Sequence, residues 1–251
     1  MNSEHLLLET CLLAGKIMME SGSEVYRVED TMNRIANSCG RTDSVSYVTA
    51  TGIFMSLKNS HHTQIENVGE RSNNLQKVVA VNQLSRDFAA HVITLSELCT
   101  ALKKVDQKVP QYPFWLQIVG AGITSSTLML IFNGTWMDFI ATFLIGCLGF
   151  LLKTYAHDFL KVAYLDYFIA AFGIGFFAIL AVHWQLAFSA DNIIIGSVMP
   201  LVPGVAITNS FRDILASHMI SGLVRGTEAI IIAIAIGVGI ATALITMGGI
   251  L

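Results

Sequence analysis

From Phe114 to Met247 the chain is a succession of apolar stretches, and no other feature limits its possible folds so much. The stretches are 114–132, 137–152, 162–182, 193–209 and 227–247. Crossing a bilayer takes about 20 apolar residues at about 1.5 Å each. In lipid the backbone must satisfy its own donors and acceptors, so such stretches are predicted to be helices. Trp115 and Trp136 bracket the first, as aromatic residues do at membrane interfaces. Charge lies elsewhere: eleven of the fifteen Lys and Arg residues and twelve of the eighteen acids precede Pro113. Only 13% of the 251 residues are charged, against roughly 25% in soluble domains. The chain therefore reads as an α-helical integral membrane protein of about five transmembrane helices over 114–251, with the lipid bilayer as its first partner. Residues 1–113 read as an N-terminal cytosolic α+β domain.

The fourth stretch differs from the others. It carries Pro200, Pro203 and Gly204 within five positions, and proline removes a backbone donor and clashes with the preceding turn. A helix broken at Pro200/Pro203-Gly204 is expected. Broken membrane helices expose backbone groups to polar solutes in many transporters, whereas a kinked helix running into a cytosolic loop is the plainer alternative. Directly after the break come Thr208, Asn209, Arg212 and Asp213, then Ser221, Gly222, Arg225 and Glu228.

The first 113 residues show apolar residues at helical spacing over 4–20 and about 24–39, with Gly22 placed to end the first helix and Ser23 to cap the second. The second helix carries Glu24, Arg27, Glu29, Asp30 and Arg34 on its other faces, either a solvated surface or a docking face. Residues 44–58 and 63–68 suggest a β-hairpin with its turn at Asn59–His62. A further helix is expected over 73–89, and Thr94 and Glu97 form a capping box that opens another. No phosphate loop, nucleophile elbow or paired metal spacing is present, so neither a metal nor a cofactor is implied. His61 and His62 would point to opposite sides of a strand. Cys11, Cys39, Cys99 and Cys147 are widely spaced and fit reduced thiols. A net charge of -3 gives no reason to expect nucleic acid.

Orientation follows from the cations. Lys103, Lys104, Lys108, Lys153, Lys161, Arg212 and Arg225 fall on one side of a five-span plan, and loops 133–136 and 183–192 have none. That predicts a multi-pass protein of the plasma (inner) membrane with a cytosolic amino terminus and an external carboxyl terminus. In the last stretch Ala229, Ala233, Gly237 and Ala241 form one row of small residues, and Ala235, Gly239 and Ala243 another. Such rows let helices approach closely, within one subunit or across a seam to a homo-oligomer or a second protein.

Two motifs carry a resemblance. GSEVYRVEDTM runs from Gly22 to Met32, and LVPGVAITNSFRD from Leu201 to Asp213, followed by Ser221, Gly222 and Arg225. The pair, in this order and with these apolar stretches, resembles the threonine/serine exporter family. Members of that family are either fused, with about ten spans, or split into two polypeptides. The chain resembles the longer half, which implies a second, smaller membrane subunit as partner. The resemblance implies export of threonine and serine, or of succinate, a C4-dicarboxylate. All are carboxylates, which Arg and helix N-termini bind well. Pro203, Gly204, Thr208, Asn209, Arg212 and Arg225 are the candidate substrate contacts, and Glu24, Arg27, Glu29 and Asp30 form the cytosolic motif. Asp166, Asp213 and Glu228 are candidates for a coupling ion, since ionisable groups in spans are costly. Plainer roles stand beside these: Glu228 at a helix N-terminus, Asp166 paired with Lys161 or Lys153, and Arg212 with Asp213 as an interfacial pair. Asp213, His218 and Ser221 supply the letters of a hydrolase triad, but on one short segment without an elbow. A membrane-bound regulator or scaffold is the other alternative.

Overall fold

The computed structural model describes residues 3–58, 63–69, 71–108 and 112–248. It is mostly helical and falls into two compact units. One is formed by Met1–Pro110 with Gly204–Thr227, the other by Gln111–Pro203 with Glu228–Leu251.

In the first unit, α1 (Ser3–Glu20) and α2 (Val25–Ser38) precede three strands, β1 (Ser44–Val48), β2 (Gly52–Leu57) and β3 (Thr63–Asn67), and then α3 (Leu75–Ala89) and α4 (Leu95–Lys108). The expected hairpin is thus a three-stranded antiparallel sheet in the order β1-β2-β3. The stretch 44–58 folds back on itself because Thr49 makes a tight turn: its hydroxyl donates to the Gly52 carbonyl at 2.8 Å and accepts from the Gly52 amide at 3.0 Å. The turn expected at Asn59–His62 lies outside the described residues. Ile53, Met55 and Leu57 alternate inward from β2 and meet Leu8, Ile17, Met18, Met32 and Ile35, all essentially buried. The capping box forms as its sequence demands: the Glu97 carboxylate accepts from the Thr94 amide at 2.8 Å, and the Glu97 amide reaches the Thr94 hydroxyl at 3.4 Å. The same unit also contains α9 (Gly204–Leu215) and the first turns of α10 (Met219–Met247). These two meet at very short range. Ser210 donates to the Gly222 carbonyl at 2.6 Å, and a Cβ on Gly222 would meet the Ser210 carbonyl at 2.8 Å.

The second unit holds α5 (Phe114–Ile131), α6 (Phe139–Leu160), α7 (Leu165–His183), α8 (Ala190–Val198) and the remainder of α10. Among the described residues, four helices are long and apolar enough to cross a membrane, five if the bent pair Ala190–Leu201 and Gly204–Leu215 counts as one span or re-entrant loop. The break is where the prolines put it: Pro200 sits in a 3-10 turn, and Val202 is extended before Pro203. Two boundaries differ from expectation. Lys153, His157 and Asp158, beyond the apolar stretch 137–152, lie on the last turns of α6, since a helix that outruns its apolar stretch ends in polar residues; left-handed Lys161 stops it. Likewise α10 starts at Met219, eight residues before its apolar stretch, and runs for 29 residues, roughly 44 Å. Glu228 therefore stands well inside a helix and not at an N-terminus. Of the two small-residue rows, one is used within the unit. A Cβ on Gly239 would meet the Phe168 carbonyl at 2.6 Å, and one on Gly175 would meet Ala243 at 2.7 Å, so α7 and α10 pack almost backbone to backbone. Around Gly237 there is open space.

Candidate functional site

The two sequence motifs, separated by about 190 residues, form one buried polar cluster in the first unit. Its centre is the turn between α1 and α2. Gly22 ends α1 with φ +87°, a left-handed conformation that glycine adopts without strain, and the Ser23 amide closes the turn on the Met18 carbonyl at 3.0 Å. A helix start leaves backbone donors unpaired, and Ser23 was placed to cap this one. The structure corrects that expectation: Asp213 caps α2 from α9, its Oδ1 accepting from the Val25 amide at 3.0 Å. A carboxylate at a helix N-terminus does the work of a serine cap and also meets the helix dipole.

Each residue from Gly22 to Val25 is held in this way. Asn209 donates to the Gly22 carbonyl at 2.8 Å, and Arg225 to the Ser23 carbonyl at 2.9 Å. Arg212 pairs with Glu24 at 2.5 Å, and Arg27 reaches the other oxygen of the same carboxylate at 3.2 Å. Arg225 also stands 3.4 Å from Asp213, with both side chains at most 5% exposed. Burial disfavours the charged Glu24 carboxylate, but its own backbone amide, Arg212 and Arg27 outweigh this, and the group ionises below the usual range.

Not every motif residue joins the cluster. Glu29 turns toward the sheet, accepts from the Val48 amide at 3.1 Å and faces His218 at 3.8 Å. Asp30 pairs with Arg34 on the exposed side of α2. Thr208 is exposed and donates to the Gly204 and Val205 carbonyls, and Gly204 has open space around it. Asp213 and His218 engage different partners, so the three letters of a triad make no relay.

In the second unit Asp166 is buried in the first turn of α7, and its described partner is His157 at 3.5 Å rather than a lysine. Lys153 instead lies over the Tyr167 ring, 4.3 Å from its centre. A residue the sequence did not single out is Asp138, fully buried, which accepts from the Phe188 amide at 2.7 Å and the Thr135 hydroxyl at 2.8 Å. Its signal was available: it is the lone acid in residues 114–152. Among the described residues, no group of three His, Cys, Asp or Glu side chains could hold a metal ion.

A family model described as "Putative threonine/serine exporter" matches residues 9–247. Among curated proteins, the "Probable threonine/serine exporter" of Mycobacterium tuberculosis is 23% identical over 244 residues, 93% of this chain but only 45% of that protein. The chain thus spans about half the length of that relative. The "Probable succinate transporter subunit YjjP" of Klebsiella aerogenes is 22% identical and matched over 99% of this chain and 96% of its own. The Escherichia coli protein of the same name is 22% identical, with 95% and 93% covered. No solved structure matches. With all but the chain's extremities inside one family model, and the motifs of that family folded together in the first unit, the chain belongs to the threonine/serine exporter family.

Proposed function

We propose that the chain is one subunit of a secondary exporter of small carboxylate-bearing metabolites, threonine and serine first, seated in the plasma membrane with its amino-terminal domain in the cytosol. Residues 1–113 form that cytosolic domain and 114–251 the membrane domain. The observation that carries this is the convergence of both charged motifs on the segment that follows the helix break at Pro203. There, Arg212 and Thr208 stay exposed on one face of α9, open to a solute, whereas Asn209, Asp213 and Arg225 are consumed in holding the Gly22–Val25 turn. Arg212 is accordingly the strongest cargo contact, supported by Thr208 and by the backbone at Pro203 and Gly204. Asp166, buried beside His157, is the better-placed coupling-ion candidate than Glu228 or the engaged Asp213. Succinate is the second reading, favoured by the two relatives named as succinate transporter subunits, which match this chain end to end.

A second, smaller membrane subunit completes the exporter. Two observations support it: the larger relative is more than twice as long, and Gly237 opens onto no neighbour among the described residues. Flux tests the assignment. Proteoliposomes holding this chain together with the second, smaller membrane subunit should export threonine, serine or succinate, and liposomes holding this chain alone should not. Full flux from the single chain would remove the subunit model, and no flux of any carboxylate from the pair would remove the exporter.

A further inference from the structure

The Glu24 carboxylate holds two guanidinium groups at once, Arg212 on one oxygen and Arg27 on the other. Its own side chain is 7% exposed, while those of Arg212 and Arg27 are 61% and 44% exposed. The anchor is buried and the anchored groups are open. Each guanidinium carries five donors in a planar fork, and each gives one of its nitrogens to Glu24. Charge does not balance either: two arginines face one glutamate, whereas Asp213 and Arg225 cancel beside them. One positive charge and two fixed, half-open forks remain.

We propose that Arg27 and Arg212 together form a binding site for the carboxylate group of the cargo, with Glu24 as the buried counter-ion that positions both forks. The inference rests on the exporter reading and extends it to Arg27, which lies on the other motif. An incoming carboxylate neutralises the cluster, so it joins the two arginines and does not need to evict Glu24. Eviction would leave a buried carboxylate without its partners, a costly state. Thr208 sits one helical turn before Arg212 on the same exposed face. Its hydroxyl hydrogen is used on the backbone carbonyls of α9, so toward solvent it offers lone pairs. Lone pairs accept from an ammonium and repel a carboxylate. An α-amino acid therefore finds a partner for each of its charges here, and a dicarboxylate only for one.

The test is carboxylate binding by the full chain in neutral detergent without lipid, using L-threonine and succinate as probes and inorganic phosphate as a comparison anion. Losing one of two charge-assisted partners should weaken binding by about tenfold or more, so Arg27→Gln and Arg212→Gln should each do so. Arg27→Lys keeps the charge and the contact with Glu24 but loses the fork, and should weaken binding severalfold with folding intact. Arg34→Gln, at a half-buried arginine about two turns further along α2 that pairs with Asp30, should bind as wild type. Thr208→Val should weaken threonine and spare succinate. Wild-type affinity in both Arg27 variants, equal loss in Arg34→Gln, tighter binding of phosphate through the same residues, or no binding by the wild type would each overturn the site. If the reconstituted pair exports and Arg27→Lys leaves its KM unchanged, the site falls and the exporter stands. If the chain binds carboxylate through Arg27 and the pair moves none, the exporter falls and the site stands.

Discussion

Two regions of the amino-terminal unit use the same residue types to opposite ends. At the Gly22–Val25 turn, Asp213 and Arg225 are at most 5% exposed and share their surroundings with backbone groups that need them. In a cleft of about 360 Å³ between α1, β3 and α4, Lys16 pairs with Glu66 at 2.5 Å and Lys103 with Glu9 at 2.9 Å, all four at least 31% exposed. Distances alone would rank the cleft above the turn. Burial reverses the ranking: a charge removed from water has no substitute for its partner, while an exposed one recovers its hydration when the partner goes. The cleft is a solvated surface, and the turn is a joint.

The largest expected effect follows from removing one side of the buried pair. Arg225→Met or Asp213→Leu alone should destabilise by about 3–5 kcal/mol, because each leaves a charge buried without compensation. The double variant should recover part of that loss, since no orphan charge remains. Melting temperature in detergent and abundance in membranes both read this. Additive losses in the double variant would show that the two residues do not act as a pair.

Next in size is the backbone of the joint itself. Gly22→Ala places a Cβ on a residue at φ +87° and brings it to 3.0 Å from the Asn73 side chain and 3.3 Å from the Ser72 carbonyl. Backbone strain of this kind costs about 1–3 kcal/mol. Gly204→Ala, where a Cβ meets open space, should leave stability nearly unchanged. Equal stability of the two variants would mean that the turn is not held in its observed shape.

What could be foreseen divides along the same line. The four amino-terminal helices, the Thr94–Glu97 box and the break at Pro203 are written within a few neighbouring residues, in periodicity, caps and proline chemistry. Arg212 and Arg225 stood out because charge is scarce in an apolar half. Their partners did not, since nothing local says that the Asp213 carboxylate caps a helix starting at Val25 rather than pairing with its neighbour Arg212. Ser23 looked like the cap because a serine before a helix usually is one. The turn at Thr49 was hidden by β-branched residues on both sides of it. Polar helix ends, at His157 and Met219, fall outside the apolar stretches because hydropathy marks where lipid can lie and not where hydrogen bonding stops.

A smaller effect concerns pH. The folded Glu24 carboxyl ionises below its usual value, so its contribution to stability is complete above the ordinary carboxylate pKa and is lost as pH falls through the lowered one. Wild-type melting temperature should therefore fall on acidification through that window, and Glu24→Gln should flatten part of the slope while lowering the plateau at neutral pH. An unchanged slope in the variant would mean that Glu24 is not held charged by Arg212 and Arg27.

The smallest effect is expected in the cleft, and it is the control for all the others. Lys16→Met and Lys103→Met keep the apolar stems in a cleft that Leu12 and Leu13 also line, and remove only the charged ends. Exposed pairs contribute about 0–1 kcal/mol, so each variant should melt close to wild type. Salt separates the regions further. Screening acts within about 8–10 Å at ordinary ionic strength and weakens exposed pairs first, so whatever the cleft contributes should vanish at high salt. The Arg225→Met loss should persist there, because no counter-ion reaches a side chain that is 5% exposed. If Lys103→Met instead cost as much as Arg225→Met, at low and at high salt alike, burial would not be what distinguishes the two regions. The joint at Gly22–Val25 would then be one surface contact among several, and the exposed forks of Arg27 and Arg212 would lose the fixed footing that makes them a receptor for a carboxylate.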